Sequence, residues 1–423
     1  MKILILIERF LVPCNHGGRI RSYNTFSRLA KLHEITILSY YDDTIDQPYV
    51  NAMRTICMRL ELVPWREVRR FSPCFFYYLF LAFFLPVPFT VFKCASRAYQ
   101  KAMHNLLDEE DYDLIICDFP WMGANLDMIA DVPILLFEHN VEFHVWRLHA
   151  QRTSSLLRRL YFTREWKKMY KFEKRLWRRC AGIVAVSDQD GQRIRDEGIT
   201  NVTVVPTGVD TEYYREIADG EENGAIMFLG SMDAIVNEDA VSWFVQDILP
   251  AVRARVPDAH FYIVGRDPTP GVQRLHAPTQ GVIVTNTVND VRPYLSRAQV
   301  FVVPMRVGGG TRIKIYEGMA AGKAVVSTSL GAEGLHLTSG RNVLFADTNC
   351  LFTNAVVNVL TDHNLRHVLA KEARNFVCEQ FPWSKVSHIF EKACMQATKS
   401  CIDKRKGYAT NNLCRQNITS CTK

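Results

Sequence analysis

Short apolar runs rich in β-branched residues recur along this chain, each followed by helix-like or loop material. In the first half they are Ile3–Ile7, Glu34–Ser39, Leu114–Cys117, Ile134–Phe137, Gly182–Val186 and Val202–Val205. In the second half they are Ala225–Leu229, His260–Val264, Gly281–Thr285, Val300–Val303 and Ala324–Ser327. Continuous apolar runs of this length, without polar alternation, predict strands buried on both faces of a parallel sheet. Two such series predict two doubly wound, Rossmann-like α/β domains. The polar stretch Glu212–Asn223 is the expected seam. The expected division is a first domain over 1–211, a second over 212–385, a helix over 386–399 returning toward the first, and a basic, disordered tail over 400–423.

Two segments break this rhythm. Phe75–Leu85 is an unbroken aromatic and aliphatic run of eleven residues, closed by Pro86 and Pro88. A bilayer span needs about 20 residues. A span here would also part strands Ile3–Ile7 and Leu114–Cys117, which belong to one sheet. No transmembrane helix is expected, and two readings remain: a buried helix, or an apolar surface that meets lipid or a lipid acceptor. The second segment, Arg147–Arg179, is crowded with bases, Arg158, Arg159, Arg164 and Lys168 among them, against only Glu165 and Glu173. Leu156, Leu157, Leu160, Phe172, Leu176 and Trp177 recur at spacings that fit one helical face. Such a helix reads either as a membrane-surface element or as an ordinary solvated face.

Composition narrows the class. With 423 residues, 48% apolar and 22% charged, the chain is neither disordered nor polytopic. A net charge of +7 suits an anionic partner such as a phosphate or a lipid surface, and nothing points to nucleic acid. The twelve cysteines lack metal-like spacing and read as reduced thiols. The opening apolar run is too short for a secretory signal and is followed at once by Glu8 and Arg9. The expected location is the cytoplasm, with peripheral docking on the inner face of the cell membrane as a further option.

Candidate chemistry sits at strand ends. Gly308, Gly309 and Gly310 follow the run ending at Pro304 and precede Thr311, Arg312 and Lys314. Three glycines free backbone N–H groups to approach an anion, and a helix opening there turns its positive end toward the same place. No Gly-Lys-Ser/Thr closes the loop, so it is not a P-loop, and no dinucleotide fingerprint follows the first strand. That first strand instead leads to Gly17, Gly18 and Arg19. Two glycine loops facing one another across a cleft would enclose a phosphorylated ligand. Asp111-Tyr112-Asp113 lies before a strand rather than after one, and reads as a solvated turn rather than a metal site.

The segment from Pro304 to Leu335 resembles the donor-binding segment of glycosyltransferase family 4, whose enzymes have the two-domain GT-B fold. Further stretches match in order: Pro206–Asp210, Phe228–Asp233 with Asn237, Val264-Gly265, Asp290–Leu295 and, in the first half, His16–Arg21 and Glu138–Glu142. The resemblance implies a retaining transferase that moves a sugar from a nucleoside-diphosphate donor onto a polysaccharide or lipid-linked glycan precursor, without metal or other cofactor. Glu317 takes the place of the second glutamate in the family's E-x7-E motif, which binds the nucleotide ribose; the first falls on Gly309. His139 matches the histidine set against the transferred sugar, with Asn140 and Glu142 beside it. Gly17, Gly18, Arg19, Gly230, Gly309, Gly310 and Thr311 complete the implied substrate contacts. Relatives carry a basic pair after the second domain's first strand. This chain has Ser231-Met232-Asp233 there, so Arg312 and Lys314 are expected to neutralise the leaving diphosphate. The expected mechanism is front-face attack, with His139 orienting the sugar. A GT-B-shaped sugar-nucleotide epimerase and a non-catalytic sugar-nucleotide binder remain as alternatives.

Overall fold

The computed structural model describes residues 1–14, 17–66, 68, 72–126, 132–216, 220–307 and 313–399. The chain forms two compact units, Met1–Pro206 with the residues from Val386 onward, and Thr207–Lys385. The crossing at Pro206–Thr207 precedes the polar stretch because the backbone after it already belongs to the second core. Val209 N–H donates to Phe381 O at 2.9 Å, and Trp383 N–H to Val209 O at 3.3 Å. The expected tail over 400–423 lies outside the described residues.

The first unit is a seven-stranded parallel sheet: β1 (Lys2–Ile7), β2 (Glu34–Tyr41), β3 (Arg59–Pro64), β4 (Leu114–Asp118), β5 (Ile134–Glu138), β6 (Gly182–Ala185) and β7 (Val202–Val204). Their order is β3-β2-β1-β4-β5-β6-β7. The second unit holds β8 (Ala225–Leu229), β9 (His260–Val264), β10 (Val282–Val284), β11 (Val300–Val303), β12 (Ala324–Ser327) and β13 (Leu344–Phe345). Its order, β10-β9-β8-β11-β12-β13, repeats the same doubly wound pattern. In each sheet the direction of winding reverses beside the first strand, between β1 and β4 and between β8 and β11. Ligands of open α/β sheets bind in the crevice at such a switch point. The patterning missed β3 and β13. Arg59 and Glu61 interrupt β3 as edge-strand residues, and β13 is only two residues long.

Nine helices carry the functional argument: α1 (Gly17–Leu29), α2 (Pro73–Phe84), α3 (Phe89–Cys94), α4 (Glu142–Arg152), α5 (Leu156–Arg179), α6 (Ile235–Trp243), α7 (Ile313–Ala320), α8 (His363–Gln380) and α9 (383–399). From Val386 onward α9 belongs to the first unit, where Phe390 packs edge-on against Phe137 with centroids 4.8 Å apart. Helices α4 and α5 pair through Trp146 on Phe162 and Phe143 on Tyr170.

The run Phe75–Leu85 becomes α2, and the buried-helix reading does not hold. Ala82 is its sole buried residue, while Phe80 and Phe84 are 63% and 65% exposed. Nor are all the bases of α5 a free face. Lys168 Nζ donates to Ala82 O at 2.6 Å and to Glu165 at 2.9 Å, and Arg164 Nε donates to Phe83 O at 2.7 Å. These cations satisfy carbonyls at the C-terminal end of α2, where the helix dipole favours positive charge. The two segments that broke the sequence pattern are thus packed on each other. Near the start of α5, Leu156, Leu157 and Leu160 stay exposed.

Candidate functional site

At the first switch point, β1 delivers Glu8 and Arg9 and β4 delivers Asp118, Phe119 and Trp121. With Gly18, Arg19 and Ser22 of α1, these residues line a cleft of about 950 Å3 within the first unit. Asp118 is fully enclosed at its floor. It accepts from Ser22 Oγ at 2.9 Å and lies 2.7 Å from His139 Nε2. Arg21 NH1 sits 2.9 Å from His139 Nδ1. A guanidinium only donates, so Nδ1 accepts and Nε2 carries the proton that Asp118 receives. Burial holds the His139 pKa below its ordinary value, against the raising effect of Asp118. It also draws Arg21 down to about 10, again opposed by Asp118.

The imidazole of His139, expected to orient the transferred sugar, is turned into the protein here. The residue is buried, both ring nitrogens are committed inside the protein, and it does not line the cleft. Its ring stacks on Phe119 at 3.9 Å between centroids, and Phe119 stacks in turn on Trp121 at 4.6 Å. Gly18 is required by this stack, because a Cβ there would lie 2.7 Å from Phe119 Cζ. Asn140 and Glu142 are also set apart from the cleft. Asn140 Nδ2 donates to Glu142 Oε1 at 3.4 Å, and burial raises Glu142 to about 7. Beside them Glu173 accepts from the backbone N–H of Glu142 and Phe143 at 2.7 and 2.8 Å, closing the N-terminus of α4. Glu138 accepts from Trp177 Nε1 at 2.9 Å, and burial pushes it up to about 8. Gly18 and Arg19, expected as substrate contacts across an interdomain cleft, line this cleft of the first unit; sequence reasoning went no further here. It missed Glu8, Asp118, Phe119 and Trp121, whose partners lie far away in sequence.

At the second switch point, Gly230 ends β8 and Gly265 ends β9. The two backbones approach so closely that a Cβ on Gly265 would fall 1.6 Å from Gly230 O. Lys314 of α7 reaches into this place. Its Nζ donates to Asn237 Oδ1 at 2.9 Å and lies 4.1 Å from the centre of the Phe228 ring. A Cβ on Gly230 would meet that Nζ at 2.7 Å. One turn along α7, Glu317 accepts from Tyr214 Oη at 3.0 Å, and burial raises its pKa while Tyr214 and Lys314 lower it. Lysine and glutamate, three residues apart, therefore share one face of α7. Gly309, Gly310, Thr311 and Arg312 lie outside the described residues. Gly17 opens α1 without lining the cleft.

Known proteins share the family profiles and the fold. The profile described as Glycosyltransferase Family 4 matches residues 17–213, and that described as Glycosyl transferases group 1 matches residues 223–362. An uncharacterized 44.6 kDa protein in the cps region of Klebsiella pneumoniae is 21% identical over 92% of this chain and 99% of its own length. A phosphatidyl-myo-inositol mannosyltransferase of Mycolicibacterium smegmatis is 30% identical over 49% of this chain and 55% of its own. The Anabaena protein Alr3699/HepE, solved in complex with UDP and glucose, superposes with a TM-score of 0.62 at 15% identity, covering 93% of this chain and 98% of its own. The chain is a GT-B glycosyltransferase of the family 4 type.

Proposed function

We propose that this glycosyltransferase moves a sugar from a nucleoside-diphosphate donor onto a lipid-linked glycan precursor of a polysaccharide, with retention and without a metal. The observation that carries the reading is the placement of Lys314 and Glu317 on one face of α7 at the second switch point. A fixed ammonium, joined by Arg312, neutralises charge that develops on the departing diphosphate, the task a divalent ion performs in metal-dependent transferases. Glu317 accepts from the ribose hydroxyls. In the first unit Asp118 is committed to Ser22 and His139, which suits a positioning role better than a covalent nucleophile. Retention then follows from attack on the face the diphosphate leaves, with a phosphate oxygen accepting the acceptor's proton. His139 acts indirectly, by holding the cleft floor in place. The names of the relatives support a UDP-type donor, a lipid acceptor and a capsule-like product.

A lipid-linked acceptor also accounts for the exposed apolar face of α2 beside the bases of α5. No helix among the described residues is long and apolar enough to cross a membrane. Peripheral docking from the cytoplasmic side is the arrangement proposed, at about 1 kcal/mol per Lys or Arg near an anionic leaflet. The test is donor turnover by the purified protein with UDP-, GDP- and ADP-sugars in the presence of EDTA. Retained anomeric configuration in the product, read by NMR, is expected. An inverted product, or turnover abolished by chelation, overturns the mechanism. Failure to float with anionic liposomes even at low salt overturns the docking.

A further inference from the structure

We propose that Trp121 is the platform on which the acceptor's sugar ring stacks, with Phe119 and Glu8 as the residues that hold it. This rests on the transferase reading above; with Lys314 and Glu317 of the second unit assigned there to the donor, the cleft of the first unit is assigned to the acceptor. Phe119 has φ 72° and ψ 143°, a backbone conformation that side chains other than glycine rarely occupy. Strained positions of this kind persist where the surroundings over-determine them, and they cluster at ligand-binding sites. Here the surroundings are His139 on one ring face, 13° from parallel, and Trp121 on the other, 15° from parallel. The strain keeps the Phe119 ring between the two, and Gly18 leaves the room it needs. Trp121 is fixed at its edge as well, since its Nε1–H donates to Glu8 at 2.8 Å. Lys93 and Arg9 flank the same carboxylate at 3.5 and 3.9 Å.

Trp121 is nevertheless only partly buried, and it lines the cleft. An indole braced from behind and tied at its edge offers a rigid apolar face bordered by an acid and by Arg19. A pyranose has the matching surface, a face of C–H groups rimmed by hydroxyls. Binding such a ring to a pre-ordered face avoids the cost of ordering the side chain on association. A nucleobase also stacks on indole, and the experiment separates the two.

The test uses the full-length protein with octyl glycosides of glucose, galactose, mannose and N-acetylglucosamine, followed by saturation-transfer NMR, and calorimetry with UDP and GDP. At least one glycoside binds the wild type. Trp121→Ala weakens it on the order of tenfold, as truncating an aromatic anchor does, while nucleotide affinity is unchanged. Trp121→Phe retains most of the binding, and Glu8→Ala falls between. The proposal is overturned if no glycoside binds the wild type, if Trp121→Ala binds as the wild type does, or if Trp121→Ala loses nucleotide to the same extent. A wild type that binds a glycoside but no nucleoside diphosphate sinks the transferase reading instead.

Discussion

The two units use one topology and build their strand-end sites by opposite means. In the second unit, β8 and β9 are brought together by what is absent. Gly230 and Gly265 carry no side chains, and Lys314 and Asn237 occupy the space this leaves. In the first unit the ends of β4 and β5 are held by what is present: a buried set of Arg21, Ser22, Asp118 and His139, with three carboxylates, Glu138, Glu142 and Glu173, behind it. In the second unit glycine supplies close backbone approach, beside the ammonium of Lys314. The first unit's strand ends are fixed instead by side chains that bond to one another inside the protein.

The contrast breaks most sharply at Gly265. Gly265→Val would drive a side chain into Gly230 O, and backbone cannot yield as a flexible side chain can. A loss of about 4–5 kcal/mol or more is expected, at the upper end for single substitutions. Urea unfolding should show it together with lost UDP binding; a stable variant that still binds would mean that the close approach is not structural. In the first unit Asp118→Leu strips Ser22 Oγ and His139 Nε2–H of their buried acceptor and removes one of the negative charges that act on Arg21, and about 1–3 kcal/mol or more should be lost. Asp118→Asn, which keeps the shape, should lose clearly less. Equal losses would assign Asp118 to packing rather than charge.

Lys314→Met sharpens the comparison from the other side. It should leave thermal stability nearly unchanged yet weaken nucleoside diphosphate by about 1.5–3 kcal/mol, the worth of a charge-assisted contact. Calorimetry that finds undiminished affinity would place the phosphate elsewhere.

How far each site was legible follows from the same difference. Gly230, Lys314 and Glu317 stood out in the sequence because the roles expected of them rest on local chemistry: no side chain, a fixed charge, a carboxylate on the next turn. Eleven strands were equally plain, since burial on both faces leaves unbroken apolar runs. The first unit's cleft was not legible. Asp118 and Phe119 acquire their roles from Ser22 and His139, nearly a hundred and about twenty residues away in sequence. His139 was singled out by the family resemblance alone; its partners turn it inward, and partners at such separation leave no local pattern. The apolar run of α2 was ambiguous for the converse reason. Only the packing of Arg164 and Lys168 against its end decides which of its faces stay open.

The smallest expected effect is a pH dependence to which the buried carboxylates of the first unit contribute. Burial raises Glu138 to about 8 and lifts Glu173 in the same direction, whereas in the unfolded chain both titrate near the ordinary 4.5. The folded state therefore binds more protons than the unfolded state between those values, and stability must fall as pH rises through that window. The contribution is complete below about pH 4.5 and is lost as pH climbs through about 8. Glu138→Gln keeps an oxygen for the Trp177 Nε1–H and removes one titrating group. Its melting temperature should accordingly decline less steeply than that of the wild type between pH 5 and pH 9, by an amount of the order of a few degrees. Above pH 8 the variant should be the more stable of the two. Parallel melting curves across the range would show that Glu138 is not protonated in the folded chain, and that the network behind the cleft carries a charge at that position.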